Sequence, residues 1–323
     1  MTGRGESGYS LIELMVSVAI LTIVSGTALE GVFRLTKVSQ TVSNRTEMHS
    51  GVRNATELLQ QEVGQAGRIA LLNTVQLNAA VTTTGTAVAV GVKAVDEAGN
   101  TLSTPNGTDG MFIGEQIVVD TGSNEETVTI TGVDPANRAF SAVFTIPHAA
   151  SAPVNVYGGF AYGVIPKTNS NGTTFTNGST GTVMKILGDI NSDGSLKYLE
   201  YTCDTAGGNL YRRTMAYDAN TKPANSVSMA LLNNITANPD GSDCFTYQQK
   251  SVNNIPYVVD VAITLTVRTP DRDPVTGLYQ TETKALLNVS PRNVFNVWQL
   301  AGLGISNRVQ PLPTSVATLM ALP

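Results

Sequence analysis

Charge is scarce in this chain of 323 residues: Asp, Glu, Lys and Arg make up 14 % of it, against roughly 25 % in a typical soluble domain. What charge there is leans acidic. Twenty Lys and Arg against 25 Asp and Glu leave a net charge of -5. Nucleic-acid binding needs a basic patch or stripe, so no nucleic-acid partner is expected. Histidine and cysteine are scarcer still, with only His49, His148, Cys203 and Cys244. A zinc site of the usual kind would need nearly all four, and they are scattered. Neither histidine stands near a recognisable nucleophile motif, which leaves no candidate Ser-His-acid triad. P-loop, HExxH and GxSxG motifs are missing, so the chain is not an ATPase motor and no enzyme activity is expected. Gly3-x-Gly5-x-x-Gly8 matches the dinucleotide pattern by letter but follows no strand, and a pattern without that context carries nothing.

Apolar residues are plentiful, at 41 %, enough to build a core. Thirty Gly, with many Thr and Asn, point to turn-rich β structure. The longest apolar run is residues 9–29, YSLIELMVSVAILTIVSGTAL, whose single charge is Glu13. As a helix it is roughly 31 Å long, the thickness of a bilayer core. A secretory signal would show a basic start, a shorter run and a small-residue cleavage site after it; here Arg4 is offset by Glu6 and no such site follows. A plain membrane anchor explains the length but not Glu13. A charge in the bilayer costs about 2.5–3.5 kcal/mol on insertion scales and usually has a function and a partner.

From Arg34 to Ala70 the chain has no proline, and Leu35, Val38, Val42, Val52, Leu58, Leu59, Val63 and Ala66 recur at helical spacing. One long helix over about 10–70 is predicted, hydrophobic all round in its first half and amphipathic in its second. Beyond it, strands are expected at 86–95, 115–120, 126–133, 138–146 (a hairpin partner across the turn Asp134–Asn137), 182–187, 196–202, 209–213 and 257–268. Residues 168–181 read as a polar loop. The last twenty or so, after Trp298, read as a loosely packed tail.

The segment Gly8-Tyr9-Ser10-Leu11-Ile12-Glu13-Leu14 and the run behind it resemble the type IV prepilin family. Four features carry the likeness: Gly before an aromatic residue, a carboxylate four residues later, a membrane-length helix and a short polar leader. The resemblance implies cleavage between Gly8 and Tyr9 by prepilin peptidase, N-methylation of Tyr9, and pairing of Glu13 with the α-amino group of a neighbouring subunit. Further on, the resemblance is to large PilW-type minor pilins, through GDINSDGSLKYLEYTCD (188–204), Asn209-Leu210-Tyr211-Arg212 and Ser290-Pro291-Arg292-Asn293-Val294.

Together these imply an α+β protein: a long pilin-type helix packed on a large, mainly antiparallel β-sheet head. Its expected divisions are a leader (1–8), a membrane or filament-core half-helix (9–33), an amphipathic half-helix (34–70), a β-rich head (71–301) and a flexible tail (302–323). The expected role is a structural minor pilin in the priming or tip complex of a type IV pilus. Such a subunit would sit in the bacterial inner membrane, in contact with lipid and with its head in the periplasm, and then at the cell surface. Its partners would be the peptidase, other minor and major pilins and the inner-membrane assembly platform. A pseudopilin of a type II secretion system and a membrane-anchored calcium-dependent adhesin are the alternatives.

Two further constellations stand in the head. Asp189-x-Asn191-x-Asp193-Gly194, with Glu200 six residues on, has the spacing of a calcium loop, though its flanks look like strands, and a polar hairpin turn fits equally. Any cofactor is therefore confined to a structural Ca2+ on Asp189, Asn191, Asp193 and Glu200. Cys203 and Cys244 would form a disulfide if the head lies outside the cytoplasm.

Overall fold

A computed structural model describes residues 8–323 of the chain. The leader segment 1–7 lies outside the described residues.

Helix α1 runs from Leu11 to Gln65, 55 residues, and is about 82 Å long at 1.5 Å per residue. Proline is absent throughout it, and its interior glycines at 26, 31, 51 and 64 do not break it; each costs only about 1 kcal/mol in a helix. From Leu11 to Val42 its large apolar side chains are exposed. From Asn44 onward a stripe is buried: Asn44, Met48, Val52, Ala55, Leu59, Glu62, Val63 and Ala66. That stripe recurs at the three- and four-residue spacing of one helix face. The helix ends because Gly67 turns to φ +80°. There its amide donates to the Leu187 carbonyl (2.8 Å) and its carbonyl accepts from the Phe160 amide (2.9 Å). A Cβ on Gly163 would fall 2.3 Å from Gly67 backbone atoms, so this close approach requires glycine at 163.

The chain divides into two compact units. One is the chain up to Gly51 with Arg268–Glu282; the other is Val52–Val267 with Thr283–Pro323. The second unit is the head, where the last turns of α1 pack on a mostly antiparallel array. A seven-stranded sheet orders its strands Glu126–Thr129, Gln116–Val119, Pro153–Val156, Thr74–Leu77, Ala87–Val95, Ala139–Val143 and Gly132–Asp134. Its core is Leu77, Val92, Ile117, Val119, Phe140, Phe144 and their neighbours. A four-stranded sheet orders Ala230–Asn233, Asn209–Ala216, Lys197–Asp204 and Val183–Gly188. In a third sheet Ile255–Arg268 is flanked by Ile235–Thr236 and Phe245–Val252 and also pairs with Thr281–Val289. Val309–Gln310 pairs in parallel with Gly159–Phe160.

The expected strands are found, with shifted ends. One connection differs. The segment expected as a single strand at 126–133 is two: Glu126–Thr129 pairs with Gln116–Val119, and Gly132–Asp134 forms the hairpin with Ala139–Val143. The C-terminal segment differs more. Instead of a loose tail, helix α2 (Arg292–Gly302) buries Val294, Val297 and Ala301, and helix α3 (Thr314–Ala321) buries Val316, Leu319 and Met320. Those three join Ile69, Phe160, Ile165, Leu187 and Tyr198 in one core cluster. The prolines at 311 and 313 set the entry to α3 rather than marking disorder, since a helix start tolerates proline just before or at its first position.

Candidate processing and assembly segment

Gly8 and Tyr9 precede α1, outside any helix or strand, and are both exposed, Tyr9 at 89 %. Space around Gly8 is open: a Cβ there would meet nothing within 4 Å. Packing among the described residues therefore gives no reason for glycine at this position.

Ser10 caps the helix. Its Oγ accepts from the Glu13 amide (3.3 Å), and the Glu13 carboxylate accepts from the Ser10 amide (3.4 Å). This reciprocal pair is a capping box, which satisfies two of the free amides at a helix start. Sequence analysis missed Ser10, although Ser-x-x-Glu before an apolar run is the signal for it. Glu13 thus has a local hydrogen bond, yet among the described residues no Lys, Arg or His forms an ion pair with it. After it the helix carries no charge until Glu30, which pairs with Arg34 at 2.6 Å. Among the described residues α1 is the helix long and apolar enough to cross a membrane, and its apolar window is wholly exposed.

A family model described as the prokaryotic N-terminal methylation motif matches residues 3–29. The chain carries the signature of the type IV prepilin family. Neither a curated protein nor a solved structure matches it, so the PilW-type likeness of the head remains a resemblance of short segments.

In the head, the amphipathic end of α1 is fastened by a buried carboxylate. Glu62, 3 % exposed, accepts from Arg212 Nε at 3.1 Å, from the Arg212 terminal nitrogen and from the Tyr201 hydroxyl. Burial works against the Arg212 charge, but the Glu62 carboxylate more than offsets it and raises the guanidinium above its ordinary value. On the same strand Cys203 is bonded to Cys244, linking the four-stranded sheet to the start of Phe245–Val252.

The calcium constellation is not assembled. Asp189 is fully buried and ion-pairs with Arg68 at 3.5 Å, while its Oδ1 accepts from the Asp193 amide at 3.0 Å. Asn191 and Asp193 are exposed, and Asp193 accepts from the Ser195 amide at 2.8 Å. The turn packs so closely on the chain after α1 that a Cβ on Gly194, at φ +79°, would fall 2.7 Å from the Leu72 Cα. Glu200 is elsewhere. It sits opposite Lys185, three pairs along the ladder from the Gly188–Lys197 pair that borders the turn, which is about 10 Å at strand rise. There it is enclosed by Lys222 (2.9 Å), Arg213 (2.5 Å), Lys185 (3.6 Å) and the Tyr198 hydroxyl (2.6 Å). Burial opposes its charge, but Tyr198 and Lys222 hold the carboxyl below its ordinary value. Glu200 is thus a structural counter-ion rather than a ligand of the 189–193 turn. Among the described residues no group of three His, Cys, Asp or Glu is placed to hold a metal ion.

Proposed function

We propose that this prepilin is a structural minor pilin, cleaved between Gly8 and Tyr9 by prepilin peptidase and methylated on Tyr9. It then assembles into the priming or tip complex of a type IV pilus, with Glu13 paired to the new α-amino group of a neighbouring subunit. The carrying observation is the Glu13 carboxylate near the start of a wholly exposed apolar helix, without an ion pair among the described residues. A carboxylate and an ammonium that each stand alone in an apolar helix bundle are costly, and together they neutralise one another. Gly8 fits the same reading, since open space around it leaves recognition by another protein as its reason. The large head favours one copy at a tip over a densely repeated shaft. The disulfide suits a head outside the cytoplasm.

The capping box supplies a clean test. Glu13→Gln keeps an acceptor for the Ser10 amide and removes the charge, so helix start, membrane insertion and cleavage should all survive. Incorporation into the pilus complex, measured by co-purification with other pilins, should fall at least tenfold. Wild-type incorporation of Glu13→Gln would show that charge pairing is not what Glu13 does. Gly8→Leu, read by the mass of the N-terminal peptide, should leave the precursor uncleaved.

A further inference from the structure

The segment Arg268–Glu282 joins two strands and forms one compact unit with the chain up to Gly51. It runs alongside α1 in a fixed direction. The Glu282 carboxylate meets the His49 ring, the Gln280 carboxamide oxygen accepts from Arg45 Nε, and the Asp273 carboxylate lies beside the Thr41 hydroxyl, which donates to the Lys37 carbonyl. The partners on α1 thus step from 49 to 45 to 41, towards its apolar half.

At the far end the turn is held from within. Asp273 Oδ1 accepts from the amides of Val275 (2.7 Å) and Thr276 (3.0 Å), and Gly277 takes φ +72°. This turn displays Val275, 68 % exposed, and Leu278, 67 % exposed. Beside them both guanidiniums of Arg268 and Arg272 lie over the Tyr279 ring, at 4.6 and 5.3 Å from its centroid. Asp273, the acid nearest the tip, is spent on backbone amides. Aliphatic side chains flanked by an aromatic ring and arginines match a membrane–water interface, where tyrosines sit at headgroup level and arginines reach lipid phosphates.

Exposed apolar side chains continue along α1 through Val32, Phe33, Leu35, Val38 and Val42, level with Thr41. Thr41 is about 12 Å beyond residue 33, where the membrane half of the helix is expected to end. The headgroup layer on each side of a bilayer is roughly 5–7 Å thick, which leaves about 5–7 Å for the turn to reach across.

We propose that the turn 274–279 is a membrane foot. Val275 and Leu278 enter the headgroup layer of the bilayer that α1 spans, and Arg268 and Arg272 contact lipid phosphates. The foot fixes how the helix emerges from the membrane before the subunit is extracted into a filament. This inference rests on the membrane-anchored reading above, and its test separates the two.

The full chain, with its disulfide left oxidised, is reconstituted in vesicles of phosphatidylethanolamine and phosphatidylglycerol. A nitroxide is placed in turn at Leu278→Cys, Val18→Cys and Asn171→Cys, and its accessibility to oxygen and to a water-soluble nickel chelate is measured. Position 18 should read as hydrocarbon and position 171, an exposed loop site, as water. Position 278 should favour oxygen over nickel at least threefold more than 171 does. If 278 matches 171 while 18 reads as lipid, the foot is overturned and the anchor stands. If 278 is shielded from both reagents it packs on protein, which also overturns the foot. If 18 reads as water, the membrane-anchored reading falls and takes the foot with it.

Discussion

Two buried glutamates in the head show how surroundings decide the state of a single residue type. Glu200 is ringed by three cations and stays ionised. Glu115, 1 % exposed, has a single amide donor, from Phe112 at 3.2 Å. Burial pushes its carboxyl from an ordinary 4.5 up to about 8, and the Phe112 amide only partly opposes this. The folded state therefore holds the Glu115 proton more tightly than the unfolded chain. Its contribution to stability is complete below about pH 4.5 and is lost as pH rises towards 8. The loss is at most about 5 kcal/mol. Glu115→Gln should match the wild-type melting temperature near pH 4.5 and exceed it at pH 8. Parallel loss of stability with pH in both proteins would place the titration elsewhere.

Among elements, α3 decides how the chain finishes. Its carbonyls near the C-terminal end are met by cations. Lys185 Nζ donates to the Met320 carbonyl (3.2 Å) and Lys222 Nζ to the Leu322 carbonyl (2.7 Å). Cations there satisfy free carbonyls and suit the helix dipole. The same lysines serve Glu200, so α3 is tied into the network that holds that carboxylate. Leu319→Ala removes a fully buried side chain and should cost about 2–5 kcal/mol. Chemical denaturation of the protein should show that loss in full. A cost below about 0.5 kcal/mol, the usual surface value, would mean that α3 is not docked in solution.

For the molecule as a whole, the separation of Glu200 from the 189–193 turn predicts indifference to calcium. The three-cation enclosure already satisfies Glu200, and Asp189 already has Arg68. Melting curves in millimolar calcium and in chelator should superimpose. Binding at a hundredfold excess over Kd would instead add about 2.7 kcal/mol, or several degrees at the usual scaling of about 2–4 °C per kcal/mol. A shift of that size would reinstate the turn as a metal site.

What the sequence by itself determined is local or periodic. The run from Tyr9 to Leu29 with one carboxylate, the helical spacing that follows, and the short runs of Val183–Gly188, largely apolar, and Lys197–Asp204, aromatic-containing, are carried by neighbouring residues. They can be read without knowing what lies opposite. The family signature is legible for the same reason, being contained within residues 3–29. The strand Phe245–Val252 was not legible, because its sequence is mostly polar, with Thr246, Gln248, Gln249, Lys250 and Ser251, and its pairing with Ile255–Arg268 includes a register shift at Gln248/Gln249. Nor was the fate of Glu200, whose cations come from positions 185, 213 and 222. Spacing along the chain put Glu200 beside Asp189 as a ligand. The antiparallel ladder moved it away, since each residue along a strand adds about 3.4 Å. Only the tertiary structure could decide that, because ligand geometry and charge pairing depend on distance in space.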